Sequence, residues 1–134
     1  MCIRSKFVFC REPMQTILFV EDEPTLQKAL GLALAQEGYE VKTAADGEAG
    51  LQLAREVKPN LVLLDLILPK MDGFEVLEEL KKDDATKNIP VIVLTNLESS
   101  QDIEKALVLG ASTYLVKANY DLKDVIEKVK ENIK

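Results

Sequence analysis

Five short apolar runs, each followed by a stretch of helical periodicity, constrain this chain more than any other feature. TILFV (16–20), YEVKTA (39–44), LVLLD (61–65), PVIVLT (90–95) and STYLVK (112–117) have strand length and are rich in Val, Ile and Leu. The segment after the first run puts Leu26, Leu30, Ala33 and Leu34 at helical spacing and stops at Gly38. DGEAGLQLAREV (46–57) reads as a short helix closed by Pro59. FEVLEELKKDD (74–84) turns Phe74, Leu77 and Leu80 inward. SSQDIEKALVLG (99–110) has Ser99 at the N-cap position. DLKDVIEKVKENIK (121–134) lines up Leu122, Val125, Ile126, Val129 and Ile133. Five β–α units with continuous apolar strands predict one doubly wound α/β domain, its parallel sheet covered on both faces. YEVKTA is the most polar run and belongs at an edge.

Composition narrows the function. The chain has no His, which excludes His-ligated zinc and Ser–His or Cys–His catalysis. Its two cysteines, Cys2 and Cys10, both precede the β–α pattern, so no disulfide framework holds the core and a reducing, cytoplasmic setting is expected. The apolar run Phe7–Cys10 is too short for a signal peptide, and no run approaches the ~20 residues that span a bilayer. Arg4, Lys6 and Arg11 against Glu12 give residues 1–13 a charge of +2, so of the net −6 the remainder carries −8. An acidic domain lacks the basic face that nucleic acid requires, and no membrane contact is expected; a hard cation suits it better. Residues 1–13 read as an N-terminal extension and 14–134 as the domain, Met14 standing just before its natural start.

In sheets of this type ligands bind outside the carboxyl ends of the strands, where the strand order reverses. Glu21, Asp22 and Glu23 follow the first strand, Asp65 ends the third, Thr95 the fourth and Lys117 the fifth. A single acid at the end of a buried strand is costly without compensation. Asp22 and Asp65 can face each other if strands one and three are neighbours, and like charges ~4 Å apart repel by ~4 kcal/mol at an effective dielectric of 20. Mg²⁺ relieves this, because carboxylates, backbone carbonyls and waters are the ligands it prefers. The Ile67 carbonyl, two residues past Asp65, can add one such ligand. A carboxylate held beside a cation and a lysine can attack phosphorus and form an acyl phosphate. Singly, each residue has a plainer role: Asp65 as a turn former, Glu21 and Glu23 as charge at a helix N-terminus, Asp72–Gly73 as a turn, Thr95 and Lys117 as ordinary strand-end residues. Four of them at one crevice favour chemistry.

ILFVEDEP, LVLLDLILPKMDGFEVL, VIVLT and TYLVK, in this order, resemble the receiver domains of two-component response regulators. The resemblance runs from Met14 to Lys134. It implies a flavodoxin-like (βα)5 fold with strand order 2-1-3-4-5. It also implies a phosphorylation-dependent signalling switch, with Asp65 accepting a phosphoryl group from a sensor histidine kinase or phosphotransfer protein. Asp22 and Asp65, the Ile67 carbonyl and Glu21 in support would hold Mg²⁺; Thr95 and Lys117 would contact the phosphoryl group. Tyr114 matches the aromatic that changes rotamer on activation, turning inward as Thr95 moves. The signal would leave through helix four, strand five and helix five, a face open to homodimer formation. Such a domain is a switch with intrinsic phosphorylation and dephosphorylation chemistry rather than a metabolic enzyme. The chain departs from the family at Ala118, where Pro is usual, at Asn96, where a small residue is usual, and at Ile67, where a polar residue is common. A cis bond before Ala118 would cost ~2.5–4 kcal/mol rather than ~1 kcal/mol.

Two other functions on related chemistry fit less well. A flavodoxin-like electron carrier needs a Ser/Thr/Gly-rich phosphate loop after strand one, and EDEP would repel a phosphate. A haloacid-dehalogenase-like phosphotransferase places a second Asp two residues after its nucleophile; here that residue is Ile67. The domain either stands alone or forms part of a longer regulator.

Overall fold

The computed structural model describes residues 14–133. Strands β1 (Thr16–Val20), β2 (Glu40–Ala44), β3 (Leu61–Leu64), β4 (Val91–Thr95) and β5 (Thr113–Val116) alternate with helices α1 (Pro24–Gln36), α2 (Gly47–Val57), α3 (Gly73–Lys82), α4 (Ser100–Val108) and α5 (Leu122–Asn132). All pairings are parallel and the strand order is β2-β1-β3-β4-β5. The expected architecture is therefore the observed one, with element ends shifted by one or two residues, as fraying ends allow.

Successive side chains of a strand point to opposite faces, and the core divides accordingly. Leu18, Val20, Val62, Leu64, Val91 and Val93 pack under Leu51 and Ala54 of α2, Val76, Leu77 and Leu80 of α3 and Ala106 of α4. Ile17, Phe19, Leu61, Leu63, Ile92 and Leu94 pack under Leu30 and Leu34 of α1 and Val125 and Val129 of α5. Every residue of β3 and β4 is buried, whereas β2 exposes Glu40, Lys42 and Thr43, which makes it an edge strand as its polarity predicts. On α5 the inward face is narrower than its sequence suggests, because Leu122 stays exposed at the first turn.

Helix starts follow local chemistry. Asp46, Asp72, Ser99 and Asp121 each accept a backbone N–H of the first turn, at α2, α3, α4 and α5 respectively. Asp72 is thus a cap rather than only a turn residue: its Oδ1 accepts from Phe74 N at 2.7 Å and Glu75 N at 3.1 Å. Gly73, which opens α3, lies so close to the end of β3 that a Cβ there would run into the Asp65 carbonyl. Helix α1 is the exception. Its N-cap, Glu23, makes no side-chain capping bond, and Pro24 opens the helix.

Candidate functional site

Strand order decides which ends meet. The register pairs Val20 with Leu64, so Glu21 and Asp65 stand side by side just outside the two central strands. Asp65 N donates to the Val20 carbonyl at 3.1 Å and Glu21 N to the Ala44 carbonyl at 2.9 Å. Lys117 follows β5 and opens a short 3-10 turn (Lys117–Asn119). Its side chain reaches past the end of β4, where Thr95 is fully buried, and its ammonium lies 3.1 Å from Asp65 Oδ2 and 2.8 Å from Glu21 Oε1. The contact with Asp65 is a charge-assisted hydrogen bond, and the one with Glu21 is a close ion pair.

One cation therefore serves two buried acids: Glu21 is 1% exposed and Asp65 4%. Burial pushes the Glu21 carboxyl above its ordinary pKa; the Lys117 contact opposes this and the neighbouring Asp65 charge adds to it. Burial by itself would lower Lys117, but the Glu21 and Asp65 carboxylates outweigh it and hold the amine above its usual value. Asp22 is exposed, and one carboxylate oxygen from each of Glu21, Asp22 and Asp65 lies within 4.8 Å of the others. An all-oxygen donor set, three carboxylates facing one ammonium, carries excess negative charge and fits a small hard cation. Glu21, weighed from sequence as a supporting group, is the more enclosed member, and Asp22 the one that faces solvent.

The remaining expected residues fall around this centre. Asp65 Oδ1 accepts from Ile67 N at 3.2 Å, closing the turn after β3, while the Ile67 side chain is 52% exposed. Thr95 Oγ1 lies 3.5 Å from Leu97 N, a long contact that leaves the hydroxyl weakly held. The Tyr114 hydroxyl donates to the Leu97 carbonyl at 2.8 Å, and its half-buried ring packs on the core beneath α4. Burial, with smaller contributions from Asp102 and Asp65, pushes the Tyr114 phenol up to about 12. No cis peptide bond occurs among the described residues, so Lys117–Ala118 is trans. Lys105 of α4 stands 4.3 Å above the Phe74 ring and ties α4 to α3. Sequence reading missed Gln27, whose side-chain amide donates to the Glu21 carbonyl at 2.9 Å. Its only signal is a long polar side chain one turn into a helix that lacks a cap.

Residues 17–130 match the family model of the response regulator receiver domain. The chain belongs to that family. It is therefore built as a phosphorylation-dependent switch of two-component signalling. It is 38% identical over 117 residues to the DNA-binding dual master transcriptional regulator RpaA of Synechocystis sp., covering 87% of this chain and 48% of that protein. The receiver domain thus spans about half the length of the curated relatives it matches. Among solved structures, a CheY-like receiver domain protein from Methanospirillum hungatei has a TM-score of 0.83 at 33% identity, covering 89% of this chain and 93% of the other. The Mn²⁺-bound form of response regulator Rcp1 has a TM-score of 0.75 at 35% identity, covering 87% and 90%. No helix among the described residues is long and apolar enough to cross a membrane.

Proposed function

We propose that Asp65 is the phosphoacceptor of this receiver domain, supplied by a sensor histidine kinase or phosphotransfer protein. The observation that carries the reading is the Lys117 ammonium set between Asp65 Oδ2 and Glu21 Oε1 at the mouth of the central strands. An Asp65 carboxylate oxygen attacks phosphorus, the bond from phosphorus to the donor breaks, and an acyl phosphate forms on Asp65. Lys117 then exchanges its bond to a carboxylate for one to a phosphoryl oxygen, and the weakly held Thr95 hydroxyl turns to a second. Glu21, Asp22, Asp65 and the Ile67 carbonyl would hold Mg²⁺, which supplies neutralisation of the charge that gathers at the phosphoryl group. The Mn²⁺-bound form of the related Rcp1 supports a divalent cation in this fold.

Output runs through α4, β5 and α5. The hydroxyl of Thr95 and the ring of Tyr114 are both tied to Leu97, one through its amide and the other through its carbonyl. A Thr95 that moves toward a phosphoryl oxygen shifts this loop and the start of α4. The exposed Leu107 and Val108 of α4, with the exposed Lys105 on the same helix and Lys123 on α5, give that face the mixed character a partner or a second receiver can read. The change is a shift between populations rather than a new state.

Intact mass after incubation with acetyl phosphate tests the assignment. Wild type should gain one phosphoryl group only with Mg²⁺ present, Asp65→Asn none, and Asp22→Ala little. An adduct that persists on Asp65→Asn would sink it.

A further inference from the structure

We infer that Gln27 is a positioning residue for the acid-bearing turn between β1 and α1, and through it for the divalent-cation site proposed above, on which this inference rests. Helices α2 to α5 each fix their first turn with an Asp or Ser cap, whereas Glu23 at the start of α1 makes no capping bond. The preceding loop is nevertheless the one that must hold Glu21 and Asp22 at fixed positions. What holds it comes from one turn inside the helix. Gln27 Nε2 donates to the Glu21 carbonyl at 2.9 Å and reaches the Ala44 carbonyl at 3.4 Å. The Ala44 carbonyl also accepts from Glu21 N at 2.9 Å, and Glu21 Oε2 accepts from Glu23 N at 3.1 Å. A single amide thus ties the ends of β1 and β2 to α1. Gln27 N in turn donates to the Glu23 carbonyl at 3.0 Å, the first backbone bond of α1, so the residue that holds the loop is itself anchored in the helix.

The consequence is specific. Two mutually repelling acids on an untethered loop would splay apart, and gathering them around a cation would then cost ordering entropy. The Gln27 amide removes that freedom in advance. Gln27→Met keeps the length and the helix propensity but removes both donors. A lost hydrogen bond of ordinary net strength corresponds to about a threefold to tenfold rise in the Mg²⁺ concentration at half saturation.

The test is a Mg²⁺ titration of the ¹⁵N-labelled protein, following the amides of Glu21, Asp22, Glu23 and Asp65, in wild type, Gln27→Met and Asp22→Ala. Hydrogen exchange without metal is measured on the same samples. The expected result is a midpoint raised as stated in Gln27→Met, an unchanged end point, and faster exchange confined to residues 21–23 while β3 and β4 exchange as in wild type. A wild-type midpoint in Gln27→Met, with Asp22→Ala strongly weakened, overturns the role of Gln27 and leaves the cation site standing. Equal titration of wild type and Asp22→Ala overturns the site itself. Should Gln27→Met fail to fold, the wild-type side-chain amide decides: Gln27 Nε2 protons exchanging as fast as those of exposed Gln36 overturn the inference, and slowed exchange supports it.

Discussion

Lys117→Met is the most informative single change, because the lysine compensates two buried acids at once. The separations of 2.8 Å to Glu21 and 3.1 Å to Asp65 correspond to attractions of about 6 and about 5 kcal/mol at an effective dielectric of 20. Without the amine, carboxylate oxygens within 4.8 Å of one another repel by at least about 3 kcal/mol on the same scale. Recovered desolvation of the lysine offsets much of this gross sum, and removing one partner of a buried pair costs about 3–5 kcal/mol net. The expected loss at pH 8 is therefore ~3 kcal/mol or more. The sign of its pH dependence follows from Glu21, whose carboxyl burial already holds above its ordinary value. Such a group favours the fold while protonated, so stability is fullest below the unfolded pKa and falls as pH rises through the raised folded value. Loss of Lys117 removes the contact that opposes the rise. The gap between wild type and variant should widen from pH 5 to pH 8. Urea unfolding followed by circular dichroism at both values reads it. A variant within 1 kcal/mol of wild type at pH 8, or a gap that is the same at both pH values, would refute the account of Lys117 as the compensating charge.

Three further outcomes are expected. The phosphorylated state should be long-lived, because Ile67 and Leu97, two residues past Asp65 and Thr95, have apolar side chains that offer an attacking water no hydrogen bond; Ile67→Asn and Leu97→Glu should each shorten the half-life measured by intact mass, and a wild-type half-life no longer than theirs contradicts this. Of the three tyrosines, Tyr114 should ionise last, near 12, when absorbance at 295 nm is followed with pH; the late phase should vanish in Tyr114→Phe. Since that pKa is raised above the unfolded value of ~10, the contribution of Tyr114 to stability should be complete below pH 10 and be lost progressively as pH rises from there to about 12. Gly73→Ala should destabilise by more than 2 kcal/mol, as backbone must shift to admit a Cβ against the Asp65 carbonyl; a urea midpoint equal to wild type would contradict that contact.

Much of the molecule is determined by the sequence alone, for local reasons. Alternation of apolar runs with helical periodicity marks all five units, because burial of one face repeats every second residue in a strand and every third or fourth in a helix. Asp46, Asp72, Ser99 and Asp121 announce four helices, since a cap bonds within its own first turn. The all-apolar LVLL before Asp65 already requires a central strand with a compensated acid at its end. Residues 1–13, with both cysteines, lie outside the described residues. Strand order entered the sequence reading only through resemblance, because parallel neighbours are separated by whole helices and no local pattern says which pair. Tertiary structure alone put β3 beside β1, and so brought Lys117 to an aspartate 52 residues away. It also decided that Glu21 rather than Asp22 is the enclosed acid, since one residue past a strand end separates the pleat's buried side from solvent. The Tyr114 hydroxyl on the Leu97 carbonyl and the Gln27 amide on the Glu21 carbonyl belong to the same class. Each depends on how far a side chain reaches across a loop, a distance that exists only once the sheet has formed.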